Sequence, residues 1–420
     1  MNDVKCSFCG ADNKTDKDRD FVAGPNVVIC SECIETAVET VENIKKSRSR
    51  ANGVSSIPTP REINEYLSHH VIGQERARRR IAVAVHNHYM RLEHDASGEN
   101  GVEIDKSNIL LIGPTGTGKT HIARTLARHL DVPFVTADAT TLTEAGYVGD
   151  DVESILSKLY QAADNDIARA ERGIIFIDEI DKIACKGAGT SITRDVSGEG
   201  VQQGLLKIIE GTVAHITPNG GRKNPEAPLV KIDTSGILFI CGGAFAGLDK
   251  IIADRIDNLS MGFLGNVETK ASKNPGELFL QSLPEDITSF GLIPEFVGRL
   301  PVIATLDDLD EDTLVRILTE PKNAVVKQFQ AVFGKHDVEL TFTEESLKKI
   351  ASKAMERKTG ARSLRAMIED VLTDTMYDLP DVAKTVLGYE IDDQVIENIT
   401  PPRAIPRPGN DEESLPMTGS

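Results

Sequence analysis

The sequence predicts an α/β chain: a parallel-sheet domain, then a smaller and mostly helical domain, with a small cysteine-bearing module in front of both. Three stretches predict it. The apolar run Ile109-Leu110-Leu111-Ile112 enters the glycine-rich Gly113-Pro114-Thr115-Gly116-Thr117-Gly118-Lys119-Thr120, after which Ile122, Leu126 and Leu130 recur at helical spacing. Gly173-Ile174-Ile175-Phe176-Ile177-Asp178-Glu179 sets four apolar residues in a row before two carboxylates, as a strand buried on both faces requires. From Asp310 the period becomes helical, through Leu314, Ile317 and Leu318, then Leu347, Ile350, Ala351 and Ala354, then Leu364, Ile368, Val371 and Leu372.

The first stretch implies a strand, a glycine loop and a helix start. Glycines at 113, 116 and 118 let successive backbone N–H groups curl around an anion, and the helix N-terminus adds partial positive charge. In the pattern G-x-x-x-x-G-K-[ST], Lys119 reaches the β- and γ-phosphates and Thr120 offers its hydroxyl to Mg²⁺. A fortuitous glycine-rich turn would lack the flanking strand and helix.

The second stretch completes a nucleotide site. Its carboxylates fall at the C-terminal end of a buried strand, where open α/β sheets bind ligands. Asp178 is expected to hold Mg²⁺ through water, and Glu179 to orient and deprotonate an attacking water, which makes the reaction hydrolysis. Alone, Asp178, Glu179 and Asp181 could equally be a polar strand end capping the next helix.

Composition narrows the class. A chain of 420 residues carries two or three domains, and its formal charge of −18 disfavours a phosphate backbone as partner, so no nucleic acid is expected. Arg76-Ala77-Arg78-Arg79-Arg80 reads as a solvated helix face. No apolar run approaches the roughly 18 residues that span a bilayer, and no signal pattern precedes Cys6, so a soluble cytoplasmic protein without membrane contact is expected.

Cys6-x-x-Cys9 and Cys30-x-x-Cys33, twenty residues apart, can bring four thiolates to one Zn²⁺ at tetrahedral distances. Two disulfides or two redox pairs are the alternatives; the first needs an oxidising compartment and the second a surrounding βαβ pattern. One structural zinc is expected in a module spanning 1–45, which is too small to fold on apolar burial alone. Residues 46–60 have linker composition. The sheet domain is placed at 61–308, the helical domain at 309–400, and a Pro-rich disordered tail at 401–420.

Three segments of the sheet domain stand out, two of them open to two readings. Tyr147 and Val148, between Gly146 and Gly149, form either an exposed grip or a ring folded back on its own domain. The loop Pro218 to Pro225, rich in Gly and basic residues, has few apolar anchors. Met261-Gly262-Phe263-Leu264, set among glycines in a polar insertion, is either a docking tip or a loop packed on its own domain. Cys185 and Cys241 are expected in or near the core without chemistry.

Val71-Ile72-Gly73-Gln74, at a break between two helical segments, resembles the AAA+ ATPases, in which this segment lines the adenine pocket. The four cysteines, Gly113 to Thr120, Gly146-Tyr147-Val148-Gly149, Ile177-Asp178-Glu179, Gly298-Arg299 and Gly360-Ala361-Arg362, taken in order from Cys6 to about residue 395, resemble the ClpX family of AAA+ unfoldases. The resemblance implies a homo-hexameric ring with ATP between subunits. It makes Arg299 the arginine that reaches a neighbour's γ-phosphate and Arg362 the sensor of its own subunit's nucleotide. It makes Tyr147 and Val148 the pore loop that pushes on substrate, and puts Arg194 and Arg222 in the second and entrance loops. Met261-Gly262-Phe263 matches the tripeptide that docks on a ClpP-type peptidase.

This chain departs from the family at Met261, where a branched aliphatic is usual, and at Asn224, where a histidine often stands. Cys241-Gly242-Gly243 follows the strand Ile237 to Ile240 where many AAA+ proteins carry a polar sensor, so none is assigned. The resemblance also implies that the zinc module dimerises and receives substrates or adaptors, and that the chain unfolds proteins as an ATPase, with or without the peptidase. No protease nucleophile arrangement is present in the sequence.

Overall fold

The computed structural model describes residues 5–12, 20–25, 27–37, 57–97, 104–143, 150–185, 198–218, 229–260, 275–357 and 359–408. They form two compact units, Met1–Ile57 and Pro58–Ser420.

In the first unit β1 (Phe21–Ala23) pairs antiparallel with β2 (Val28–Cys30), Phe21 opposite Cys30. Gly10, at φ 79°, closes the first knuckle by donating its N–H to the Cys6 carbonyl at 2.9 Å, a left-handed turn that glycine adopts without strain. Among the described residues, the only buried hydrophobic side chains here are Cys6 and Cys30. Four sulfurs therefore stand where a larger domain would have a core.

The second unit begins earlier than its composition suggests. Pro58 to Pro60 read as linker, yet Thr59 caps the helix Pro60–Ser68 in a reciprocal box: its N–H donates to Glu62 Oε2 at 2.7 Å, and its hydroxyl accepts from the Glu62 N–H at 3.3 Å. Proline at the first helical position loses no hydrogen bond.

Five parallel strands form the main sheet, in the order β11 (Val302–Thr305), β3 (Ile109–Ile112), β10 (Leu238–Gly243), β7 (Ile174–Asp178), β4 (Phe134–Asp138). Every residue of β3 and β10 is buried, as are Ile174 to Ile177 of β7, because helices cover both faces. Two short accessory pairs lie outside this sheet: β5 (Leu142–Thr143) with β6 (Asp150–Asp151), and β8 (Val213–Ile216) with β9 (Val230–Asp233). Since β10 separates β3 from β7, the glycine loop after β3 and the carboxylates after β7 flank the C-terminal end of β10.

Past Leu306 a second core gathers Leu314, Leu318, Phe329, Phe333, Ile350, Leu364, Ile368, Leu372 and Tyr389. Its helices are Glu311–Thr319, Val325–Gly334, Glu344–Glu356 and Leu364–Val382. A three-stranded sheet, β12 (Glu339–Phe342), β13 (Val386–Ile391) and β14 (Arg403–Pro406), completes it.

β14 corrects the tail expected from residue 401. It pairs antiparallel with β13, Arg403 opposite Glu390, and Arg407 then donates to the carbonyls of Asp337, Ala383 and Val386. As an edge strand it tolerates prolines, which is why its composition reads as tail. Among the described residues no helix is long and apolar enough to cross a membrane.

Candidate nucleotide site and metal centre

Glycine is required in the loop for two different reasons. Gly116 and Gly118 hold φ of 84° and 95°, and a Cβ on Gly113 would sit 2.9 Å from the Leu306 side chain. Gly118 caps the helix Lys119–Leu130 without a side chain, so the first N–H groups of that helix face the loop. Thr117 closes the loop on itself by donating its hydroxyl to the Pro114 carbonyl at 2.8 Å.

Lys119 is buried, its Nζ donating to the carbonyls of Gly113 at 2.7 Å and Pro114 at 2.9 Å. Burial holds its pKa below the ordinary lysine value, partly opposed by Asp178 and Asp181. A phosphate would restore the balance by supplying the charge this ammonium lacks.

Asp178 meets Thr120 at the end of β7: the Thr120 hydroxyl donates to Asp178 Oδ2 at 3.0 Å, and the Glu179 N–H donates to Oδ1 at 3.0 Å. Glu179 itself is exposed and held at φ 56°, ψ 32°, a left-handed conformation that costs a non-glycine residue about 1 kcal/mol. A hydroxyl and a carboxylate three ångströms apart, with a free carboxylate beside them, can hold a hydrated divalent cation and orient a water.

The neighbouring strand end explains the missing sensor. A Cβ on Gly242 would fall 2.7 Å from the Phe176 ring, and one on Gly243 would fall 2.7 Å from Asp181 Oδ1 and from the Phe245 ring. No side chain fits there. Asp181, buried, also accepts the Ala244 N–H at 3.1 Å and so ties β7 to β10.

Arg362 reaches the loop through its turn. The 3₁₀ turn Gly360–Ser363 lies on Gly116, with the Ala361 N–H donating to the Gly116 carbonyl at 3.3 Å, and the Arg362 charge is felt at Lys119. Arg299 is not brought to the same place. Its carbonyl accepts from Asn108 Nδ2 at 3.0 Å, at the N-terminal end of β3, whereas the phosphate loop leaves the C-terminal end about 16 Å away.

Val71 and Ile72 are buried between the helices Pro60–Ser68 and Glu75–Ser97. Tyr66 stacks on His129 with ring centroids 4.0 Å apart, which holds this segment beside the phosphate helix. Gln74 clamps it to the inter-domain segment, its amide exchanging two 2.8 Å hydrogen bonds with the Asp307 backbone. Tyr147, Val148, Arg194, Arg222, Met261, Gly262 and Phe263 lie outside the described residues.

Three amides in these contacts escaped the sequence reading of the site. Gln74 stands in the sequence only as part of a tetrapeptide, and Asn108 and Gln202 belong to no motif. Gln202, fully buried, donates to Ile183 O at 2.8 Å and accepts the Ile293 N–H at 2.8 Å, joining the exit of β7 to the approach of Arg299. A lone amide has no periodicity to betray it; Asn108 alone left a signal, as the polar residue that starts an apolar run.

In the first unit the sulfurs of Cys6, Cys9, Cys30 and Cys33 all lie within 4.8 Å of one another, Cys9 and Cys30 at 3.6 Å. The edge of a Zn–thiolate tetrahedron is about 3.8 Å, so the cluster fits zinc. Backbone N–H groups, that of Cys9 foremost, pull the Cys6 thiol down to about 6, while the Cys9 sulfur pushes Cys33 up to about 12. Four thiolates at this spacing call for a cation. With no ligand position left open to solvent chemistry, such a centre is structural.

A phosphate loop and an acidic strand end on either side of a central strand, with a second domain's turn laid on the loop, define a P-loop ATPase of the AAA class. The chain matches the AAA domain (Cdc48 subfamily) over residues 104–303, the C-terminal, D2-small domain of ClpB protein over 309–386, and the ClpX C4-type zinc finger over 4–43. It is 52% identical over 379 residues to the ATP-dependent Clp protease ATP-binding subunit ClpX of Treponema denticola, covering 90% of each chain. The chain belongs to the ClpX family. It is an ATPase, and its cofactors are ATP with Mg²⁺, and zinc at the four cysteines.

Proposed function

We propose that this chain is the ATP-driven unfoldase and translocase of a Clp-type protease, which threads substrate proteins into a separate ClpP-type peptidase ring and also acts as a chaperone without it. The observation that carries the reading is the turn Gly360–Ser363 resting on Gly116. A change at the phosphates alters that contact, and with it the angle between the two domains joined at Asp307. Chemistry becomes force at that hinge.

ATP supplies the anhydride, and Mg²⁺ neutralises charge on its phosphates. Lys119 and the backbone of Gly113 to Gly118 grip the phosphates. Thr120 and Asp178 are the residues that would hold a hydrated cation. Glu179 takes the proton of the attacking water. Arg362 contacts phosphate from the second domain, and the distance of Arg299 from its own loop favours action on a neighbour's phosphate, in a homo-hexameric ring. Val71 and Ile72 bound the adenine.

Tyr147, Val148, Arg194 and Arg222 grip the threaded polypeptide, and Met261, Gly262 and Phe263 dock on the peptidase. The zinc module dimerises and receives substrates and adaptors, in the cytoplasm. A folded, tagged fluorescent reporter tests the scheme when ATP and a ClpP-type peptidase are added. Wild type should degrade the reporter, and a chain lacking 261–263 should unfold it without degrading it. ATP turnover with the reporter left intact, adaptors included, would contradict the reading and turn attention to DNA-stimulated hydrolysis.

A further inference from the structure

Arg299 does not project freely. Its Nε and Nη2 both lie 2.9 Å from Glu210 Oε1, and each side chain of the pair is about half exposed, at 55% and 40%. Glu210 is the last residue of the helix Glu199–Glu210, whose C-terminal end adds partial negative charge to the carboxylate. The pair faces solvent.

Its two backbones are fixed with unusual care for a surface ion pair. Asn108, 1% exposed, donates from one amide nitrogen to the Arg299 carbonyl at 3.0 Å and to the Ile209 carbonyl at 3.4 Å, and its Oδ1 accepts the Phe239 N–H at 3.2 Å. Lys106 Nζ donates to the same Ile209 carbonyl at 3.1 Å. Gly211, next in sequence, sits at φ 115° where a Cβ would meet Ser235 Oγ at 2.8 Å. One buried amide thus joins the residue before Glu210 to Arg299 itself.

We propose that Glu210 is a positioning residue for Arg299, holding its guanidinium on its own subunit until the ATP phosphate of a neighbouring copy displaces the carboxylate. The inference rests on the reading of Arg299 as the arginine that acts across subunits. Carboxylate and phosphate oxygens take the same guanidinium edge, so the two compete directly. Each neighbour's ATP must break the Arg299–Glu210 pair, which weakens apparent nucleotide affinity in the ring and makes Arg299 report whether that neighbour is loaded.

Affinity for a fluorescent ATP analogue, measured on the full chain assembled into rings, tests this with Glu210→Gln, Arg299→Ala and the double variant, alongside turnover. Glu210→Gln keeps the side-chain size, and its melting temperature checks the fold. We expect it to tighten binding about two- to fivefold, the size of an exposed ion pair, with turnover at saturating ATP little changed. In the Arg299→Ala background the same substitution should change nothing. Unaltered or weaker binding by Glu210→Gln, or a gain that persists without Arg299, would overturn the proposal. Undiminished turnover by Arg299→Ala would instead overturn the reading beneath it.

Discussion

The Ala361 N–H donates to the Gly116 carbonyl at 3.3 Å, and a Cβ on Gly116 would collide with the Thr359 carbonyl. A phosphate loop and the turn of another domain are thereby packed backbone to backbone, with Gly360, at φ 57°, as the facing glycine. Gly116→Ala adds a methyl in that seam and strains a φ of 84°. The protein should still fold, yet bind ATP at least about tenfold more weakly, corresponding to about 1.4 kcal/mol. Isothermal titration with a non-hydrolysable analogue reads it.

Thr120 and Glu179 should separate cation binding from water activation. Glu179→Gln removes only the proposed base, so ATP affinity should hold while turnover falls about 10²- to 10⁴-fold. Thr120→Ala removes the hydroxyl that now donates to Asp178 Oδ2, so it should raise the Mg²⁺ concentration needed for half-maximal turnover. Phosphate release across a Mg²⁺ titration distinguishes the two.

Some of this was legible because the chemistry is local. Gly113 to Thr120 and Ile177-Asp178-Glu179 carry strand, loop and carboxylate within a few residues, and the two Cys-x-x-Cys pairs carry their ligand set outright. Asn108, Gln74 and Gln202 act through partners as far as 233 residues away, which no window in the sequence encloses. β14 was hidden because four residues between prolines look like tail until β13 is there to pair with them. Thr59-Pro60-Arg61-Glu62 was different: the capping box stood in the sequence, inside a stretch whose composition suggested a linker.

Removing the metal should unfold the first unit alone. Its described core holds only Cys6 and Cys30, so folding free energy must come from four sulfur–metal bonds. A strong chelator should release one zinc per chain and cost the circular-dichroism signal of that module, while the melting transition of residues 58–408 and the basal ATPase rate persist. Loss of both together would contradict the division.

Acid should destabilise the second unit through His88. Burial, aided by Arg91 and Lys106, drives its pKa from the ordinary 6.5 down to about 3, and Nε2 lies 3.1 Å from the Gly236 carbonyl. Between those values the unfolded chain binds the extra proton, so stability falls as pH drops below 6.5, by up to about 1.4 kcal/mol per unit. His88→Phe should flatten the urea-midpoint profile between pH 6.5 and 4.5, whatever it does at neutral pH.

ATP hydrolysis in this chain should do mechanical work on folded protein. This is tested most directly by the fluorescence of a stably folded reporter carrying a degradation tag, with ATP and no peptidase. Wild type should extinguish the signal at a rate that follows ATP turnover, Glu179→Gln should leave it intact, and Tyr147→Ala should hydrolyse ATP while unfolding slowly. Full fluorescence under rapid ATP turnover by the wild type, with tag and adaptors present, would contradict the account.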